Sequence, residues 1–119
     1  MIDFVSWPKG FHVEVRKLTD YLLNPASDDG ASKGRYLASY GFDTDLVHRL
    51  AGALLRHADL SNFAGIKVTP YGLKFMFDGS MPAPNGQDAT VLTVWQVDAG
   101  GDGTARFITT RPSRRRRAP

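Results

Sequence analysis

Along Phe11-His12-Val13-Glu14-Val15, apolar and polar positions alternate. Phe11, Val13 and Val15 share one face, and His12, Glu14 and Arg16 share the other, which predicts a half-buried strand. The period then lengthens. In KLTDYLLNP, Leu18, Tyr21 and Leu22 fall on one face over one or two helical turns, and Pro25 pushes the residue before it out of helical geometry. ASDDG follows as a polar loop. A second helix is predicted from Ser32, a suitable N-cap, with Tyr36, Leu37 and Tyr40 at helical spacing and Gly41 placed to end it. Asp43 or Thr44 caps a third helix. Its apolar arc is Leu46, Val47, Leu50, Ala51, Leu54, Leu55 and Ala58, with His48, Gly52 and Arg56 opposite.

From Ile66 the period becomes two. Leu73, Phe75 and Phe77 alternate with Lys74, Met76 and Asp78. MPAPNGQ carries an Asn-Gly turn signal, lengthened by Pro82 and Pro84. ATVLTVWQV is apolar on both faces, which predicts a central strand, covered on both sides or near an edge of packing. DAGGDGT reads as a turn, ARFITTR as a last strand, and Pro112 ends it. The order predicts an α+β domain: an N-terminal strand and two to three helices packed on a three- to four-stranded antiparallel meander.

Composition sharpens this picture in three places. The 119 residues suit a single domain over 1–112, followed by a disordered arginine-rich tail over 113–119. The absence of cysteine removes disulfides, thiolate zinc sites and cysteine nucleophiles. The net charge of +3 is a local matter, because Arg114 to Arg117 supply four of the fifteen basic residues. Without them eleven basic residues face twelve acids, and the body is close to neutral. Neither a signal-peptide pattern nor a membrane-length apolar run is present, so the expected location is cytoplasmic, or that of cargo delivered by a larger machine.

The segments YLLNP, the glycine and Lys33 before an aromatic helix, Tyr71-Gly72, and TVW at Thr93 to Trp95 carry a resemblance. Together they resemble the bacterial domain-of-unknown-function family 6883, over roughly Val13 to Pro112. The chain departs from that pattern at Gly34, where alanine is expected, a change that weakens a helix by about 1 kcal/mol. The resemblance implies a small stand-alone protein or a C-terminal piece of a toxin-like or phage-related chain. It also implies a layout similar to the compact fold of bacterial ribonuclease toxins.

Candidate chemistry follows in two clusters. Lys33, Arg35 and Tyr36 would face a phosphate at a helix start, where backbone N–H groups also favour anions; the plainer reading has the cations solvated and Tyr36 in the core. Lys74, Thr93 and Trp95 come from neighbouring strands and are expected on a common face. Metal-independent RNA cleavage needs a group to activate the 2′-hydroxyl and cations to hold the phosphate. On this reading Lys33, Arg35, Lys74 and Thr93 are the catalytic candidates, and Tyr36, Tyr71 and Trp95 bind substrate. The plainer reading is a cross-strand pair with an exposed lysine and a buried indole.

His12, His48 and His57 are not spaced as metal ligands, so neither a metal nor a cofactor is expected. His57 reads as a helix-end histidine favoured by the dipole, and as a general base only if a cleft opens there. The arginine tail would bind RNA, an anionic membrane surface or an acidic partner in a salt-sensitive way. The competing function is a non-catalytic interaction module, paired with a small partner protein through the sheet face and Phe63, Tyr71 and Met76.

Overall fold

A computed structural model describes residues 6–23 and 31–113. The predicted ASDDG loop and the Arg114–Arg117 run lie outside the described residues. The chain runs β1 (Gly10–His12), α1 (Val15–Lys17), α2 (Ala31–Ser39), α3 (Val47–His57), β2 (Phe63–Thr69), β3 (Gly72–Pro82), β4 (Asp88–Asp98) and β5 (Thr104–Pro112). The architecture is α+β, as its pattern predicts. Strands β2 to β5 form the antiparallel meander, and β1 adds to β5 in parallel, which makes the sheet mixed and five-stranded in the order β1-β5-β4-β3-β2.

The first strand is shorter than the alternation predicts, because Val15 fits two periods at once. It continues Phe11 and Val13 at spacing two, and it starts the stripe Val15, Leu18, Leu22 at helical spacing. The helix wins: α1 continues directly into a π-helical turn over Leu18–Leu22, and Leu18 and Leu22 are buried in the core.

α2 starts at Ala31, so Ser32 lies inside the first turn instead of at its cap. Its other end closes as the glycine signal predicts. Gly41 adopts a positive φ of 97°, Gly41 N–H donates to Ala38 O, and Phe42 N–H donates to Leu37 O. This is a Schellman closure, with Phe42 buried beyond it. Gly34 does not shorten the helix. A Cβ there would stand 2.6 Å from the backbone oxygen of Leu22, so the glycine lets α2 close on the π-helical turn.

Asp43 caps the turn Thr44–Leu46 ahead of α3, its Oδ1 accepting from the N–H groups of Asp45 and Leu46. Val47, Leu50, Ala51 and Leu54 then face the sheet, while Leu55 is partly exposed and His57 is buried. On the sheet side the core is aromatic: Phe75, Phe77, Trp95 and Phe107, with Phe11 edge-on to both Phe77 and Trp95. β4 is central, as predicted, but among the described residues the helices cover only one of its faces. Ala89, Val91, Thr93 and Trp95 are buried beneath them, whereas Leu92 and Val94 are half-buried on the other. Ser113 remains tied to the sheet, its N–H donating to Thr90 O and its hydroxyl to Asp78.

Gly34→Ala decides between two effects of opposite sign. Helix propensity favours alanine by about 1 kcal/mol, whereas forcing a methyl against a fixed carbonyl costs roughly 1–3 kcal/mol. Urea unfolding of this variant is expected at a lower midpoint with an unchanged slope. A raised midpoint would show that the contact relaxes freely.

Candidate functional site

Thr93 and Trp95 point into the core and are both fully buried. Thr93 Oγ1 lies 3.0 Å from Trp95 Nε1 and 2.9 Å from His57 Nδ1, and His57 Nε2 lies 3.1 Å from Gly79 O. The chemistry of each group fixes the direction of this chain. A carbonyl only accepts, so Nε2 carries the ring proton and Nδ1 accepts from the threonine hydroxyl. Indole N–H only donates, so it supplies the hydrogen bond that Thr93 accepts. Every polar atom in the chain is satisfied by a neutral imidazole. Burial lowers the His57 pKa below its ordinary value, against the opposing pull of the Gly79 and Val91 carbonyls and Asp78. His57 therefore sits at the helix end, as its position predicts, but buried in the core and hydrogen-bonded through both ring nitrogens.

Lys74 is on the other side of the sheet. It pairs in register with Gln96, and Thr93 pairs with Phe77, so Lys74 and Thr93 project from opposite faces. The common face expected for Lys74, Thr93 and Trp95 is corrected on this point: in this register Lys74 shares a face with Gln96, and Thr93 and Trp95 share the other with Phe77 and Phe75. Thr93 and Trp95 both lie on the buried face.

The face left uncovered carries a different set. One register line crosses all five strands as Lys67, Lys74, Gln96, Arg106 and His12. Arg106 is held by Asp98, with Nε–Oδ2 at 2.8 Å and Nη2–Oδ1 at 3.1 Å, and Gln96 Nε2 donates to the same carboxylate at 2.6 Å. The hydrogen bond from Arg106, followed by that from Gln96, lowers the Asp98 pKa, and the same pairing raises that of Arg106. An open groove of about 750 Å³ lies over this line, bounded by Lys74, Gln96, Arg106, Asp98 and the exposed ring of Tyr71.

Lys33 reaches this neighbourhood by another route. β1 pairs with β5 only as far as Arg106, and α2 packs against β5 beyond that point. Lys33 Nζ donates to Thr109 Oγ1 at 3.1 Å, and Lys17, Lys33, Ile108 and Thr109 line a second hollow of about 530 Å³. The Lys17 pKa is lowered first by burial and then by repulsion from Arg106; Glu14 opposes this, and Lys33 adds a smaller repulsion. Lys17, Lys33 and Arg106 thus form a cationic group at the β5 rim. Tyr36 is anchored by its hydroxyl, which donates to Thr90 O at 3.1 Å, and its ring is tilted against that of Tyr40, while Arg35 is exposed on α2.

Lys33 and Lys74 therefore line two separate hollows, while Thr93 and Trp95 belong to the core. Sequence reading missed Lys17, Gln96, Arg106 and His12. The alternation in ARFITTR does place Arg106 opposite Phe107, but which face stays open is not written in the alternation. Among the described residues no cluster of three or more acidic or histidine side chains is arranged to hold a metal. No described helix is long and apolar enough to cross a membrane.

Comparison with known proteins gives a family and a fold. A family model described as a domain of unknown function (DUF6883) matches residues 9–114. No curated protein matches the chain. Among solved structures, a chain of the contact-dependent growth inhibition toxin–immunity protein complex from Klebsiella pneumoniae 342 is similar, with 22% identity and a TM-score of 0.67. The match covers 84% of this chain and 91% of that one. At this identity the likeness is one of fold.

Two measurements check the buried chain of hydrogen bonds. Thr93→Val keeps the shape but leaves Trp95 Nε1–H and His57 Nδ1 without partners, so a loss of roughly 2–4 kcal/mol is expected in chemical unfolding. A loss below about 0.5 kcal/mol would mean that the network is not satisfied as described. Because the folded pKa of His57 lies below the unfolded value of about 6.5, the unfolded state binds the proton first. The His57 contribution is whole above that value and shrinks as pH falls beneath it, at up to about 1.4 kcal/mol per pH unit. His57→Gln, which still offers one acceptor and one donor, is expected to flatten this slope between neutral and mildly acidic pH.

Proposed function

The chain belongs to the DUF6883 family, and on that premise we propose that it is a toxin-like protein that cleaves RNA on the open face of its sheet. The observation that carries this reading is the convergence of Lys74 and Arg106 on one groove, with Lys17 and Lys33 lining a second hollow beside β5. Lys74 and Arg106 come from two strands and face the open groove, whereas Lys17 and Lys33 come from two helices and line a neighbouring hollow beside β5. The fold likeness to a chain of a toxin–immunity complex supports the same setting.

In this reading Lys74 and Arg106 hold the phosphodiester and stabilise the charge that develops as the 2′-oxygen attacks phosphorus. The bond from phosphorus to the 5′-oxygen breaks, and the leaving oxygen takes a proton from water. Asp98 fixes the guanidinium, so its donors are aimed before the substrate arrives. His12, in register with Arg106 and exposed, accepts the 2′-hydroxyl proton. Tyr71 offers a ring on which a base stacks. Lys33 extends the phosphate track along β5, Arg35 sits further out on α2, and Tyr36 supports the helix that carries both. No metal enters this chemistry, and its place is the cytoplasm, where the substrate is.

A second reading, a non-catalytic module paired with a small protein, is favoured by the nearly neutral body, a weak electrostatic match to RNA as a whole. Stoichiometric co-purification with one protein partner, without RNA cleavage, distinguishes it.

Incubation of the purified chain with total tRNA is expected to give cleavage that EDTA does not abolish. Lys74→Ala and Arg106→Ala are each expected to slow it by roughly tenfold or more without loss of the folded state. A well-folded chain that cleaves no tRNA, with or without EDTA, overturns the reading.

A further inference from the structure

The two edges of the sheet are treated differently. At one edge β1 is three residues long, and α2 packs on β5 beyond it. At the other, β2 is seven residues long and pairs only with β3, so its outer backbone edge meets no strand among the described residues. An edge of this length, with apolar side chains exposed, is a template for another strand. Val68 is 73% exposed, Phe63 38% and Ile66 36%, and Leu60 and Trp7 extend the apolar ledge beside them. Ile66 and Val68 lie on the helix side, in register with Phe75 and Leu73.

The opposite face of the same strand carries an electrostatic conflict. Lys67 stands directly across from Lys74, and like charges in register destabilise a pair of strands. Ion pairs among the described residues include Arg16–Asp20 and Arg106–Asp98, and neither Lys67 nor Lys74 pairs with a carboxylate of the described residues. FAGIKVT contains no acid that would relieve them. A second copy of the chain is a poor occupant, because it would bring another lysine pair to the same edge. The register shift between Phe63 and Gly65 further discourages self-pairing.

We infer that β2 accepts, by strand addition, an extended segment of a protein partner that alternates apolar and acidic residues. Its apolar side chains would continue the Phe63–Ile66–Val68 ledge, and its carboxylates would lie beside Lys67 on the other face, since alternate residues of a strand face opposite ways. Backbone hydrogen bonds would supply affinity, and the Lys67–Lys74 pair would select acidic strands and reject basic ones. This does not rest on RNA cleavage: an inactive chain that binds in this way leaves the inference standing.

The test uses the whole chain and two synthetic peptides, one alternating valine with glutamate and one alternating valine with lysine. Backbone amide chemical shifts report the site, and their titration reports the affinity. The glutamate peptide is expected to perturb residues 63–69 and to bind about tenfold or more tightly than the lysine peptide, with the difference shrinking in high salt. Lys67→Glu, at an exposed position, is expected to invert the preference, and Val68→Lys to weaken both peptides. Equal binding of the two peptides, perturbation elsewhere, or no perturbation at millimolar peptide overturns the inference. Self-association through β2 in the absence of peptide overturns it as well.

Discussion

Three hydrogen bonds in series lock the end of α3 onto the middle of the sheet: Trp95 to Thr93, Thr93 to His57, and His57 to the Gly79 carbonyl. They join a helix to two neighbouring strands inside an aromatic core, where an unsatisfied polar atom would be costly. Asn62 adds a clasp from outside, its side-chain amide donating to His57 O. Apolar packing alone would tolerate a range of helix positions. The directed chain of donors and acceptors tolerates very few, and so it fixes where the end of α3 sits over the apolar face of the sheet.

Everything about the candidate site follows from that choice of face. Once α3 covers Phe75, Thr93 and Trp95, strand alternation leaves Lys74, Gln96 and Arg106 on the uncovered side. The four cations do not repel equally, because Arg106 is neutralised by Asp98 whereas Lys17 is half-buried beside it. The same logic separates the two ends of the sheet. α2 and β1 occupy the β5 side, and the β2 side keeps an apolar ledge and a lysine pair.

Much of the architecture was legible along the chain. Gly41 announced a helix end and closes one; Asp43 announced a helix start and caps it; the period-two run from Ile66 announced the meander. These signals are local, carried by a backbone angle, a side-chain acceptor or a repeat. Val15 misled because it satisfies two periods, and Gly34 misled because its role is to admit the Leu22 carbonyl from a distant turn. His57 misled for a related reason. Its place at a helix end suggests a charge facing the dipole, while its real neighbours come from strands 22 and 36 residues further on.

The sequence by itself determined the elements, their order, the family resemblance and the alternation that divides each strand into two sets of side chains. It left open which set lies under the helices, and hence whether Thr93 joins Lys74 or His57. Only the tertiary structure decided that, because burial and hydrogen bonding between distant segments distinguish the two faces, and neither has a signature in local spacing.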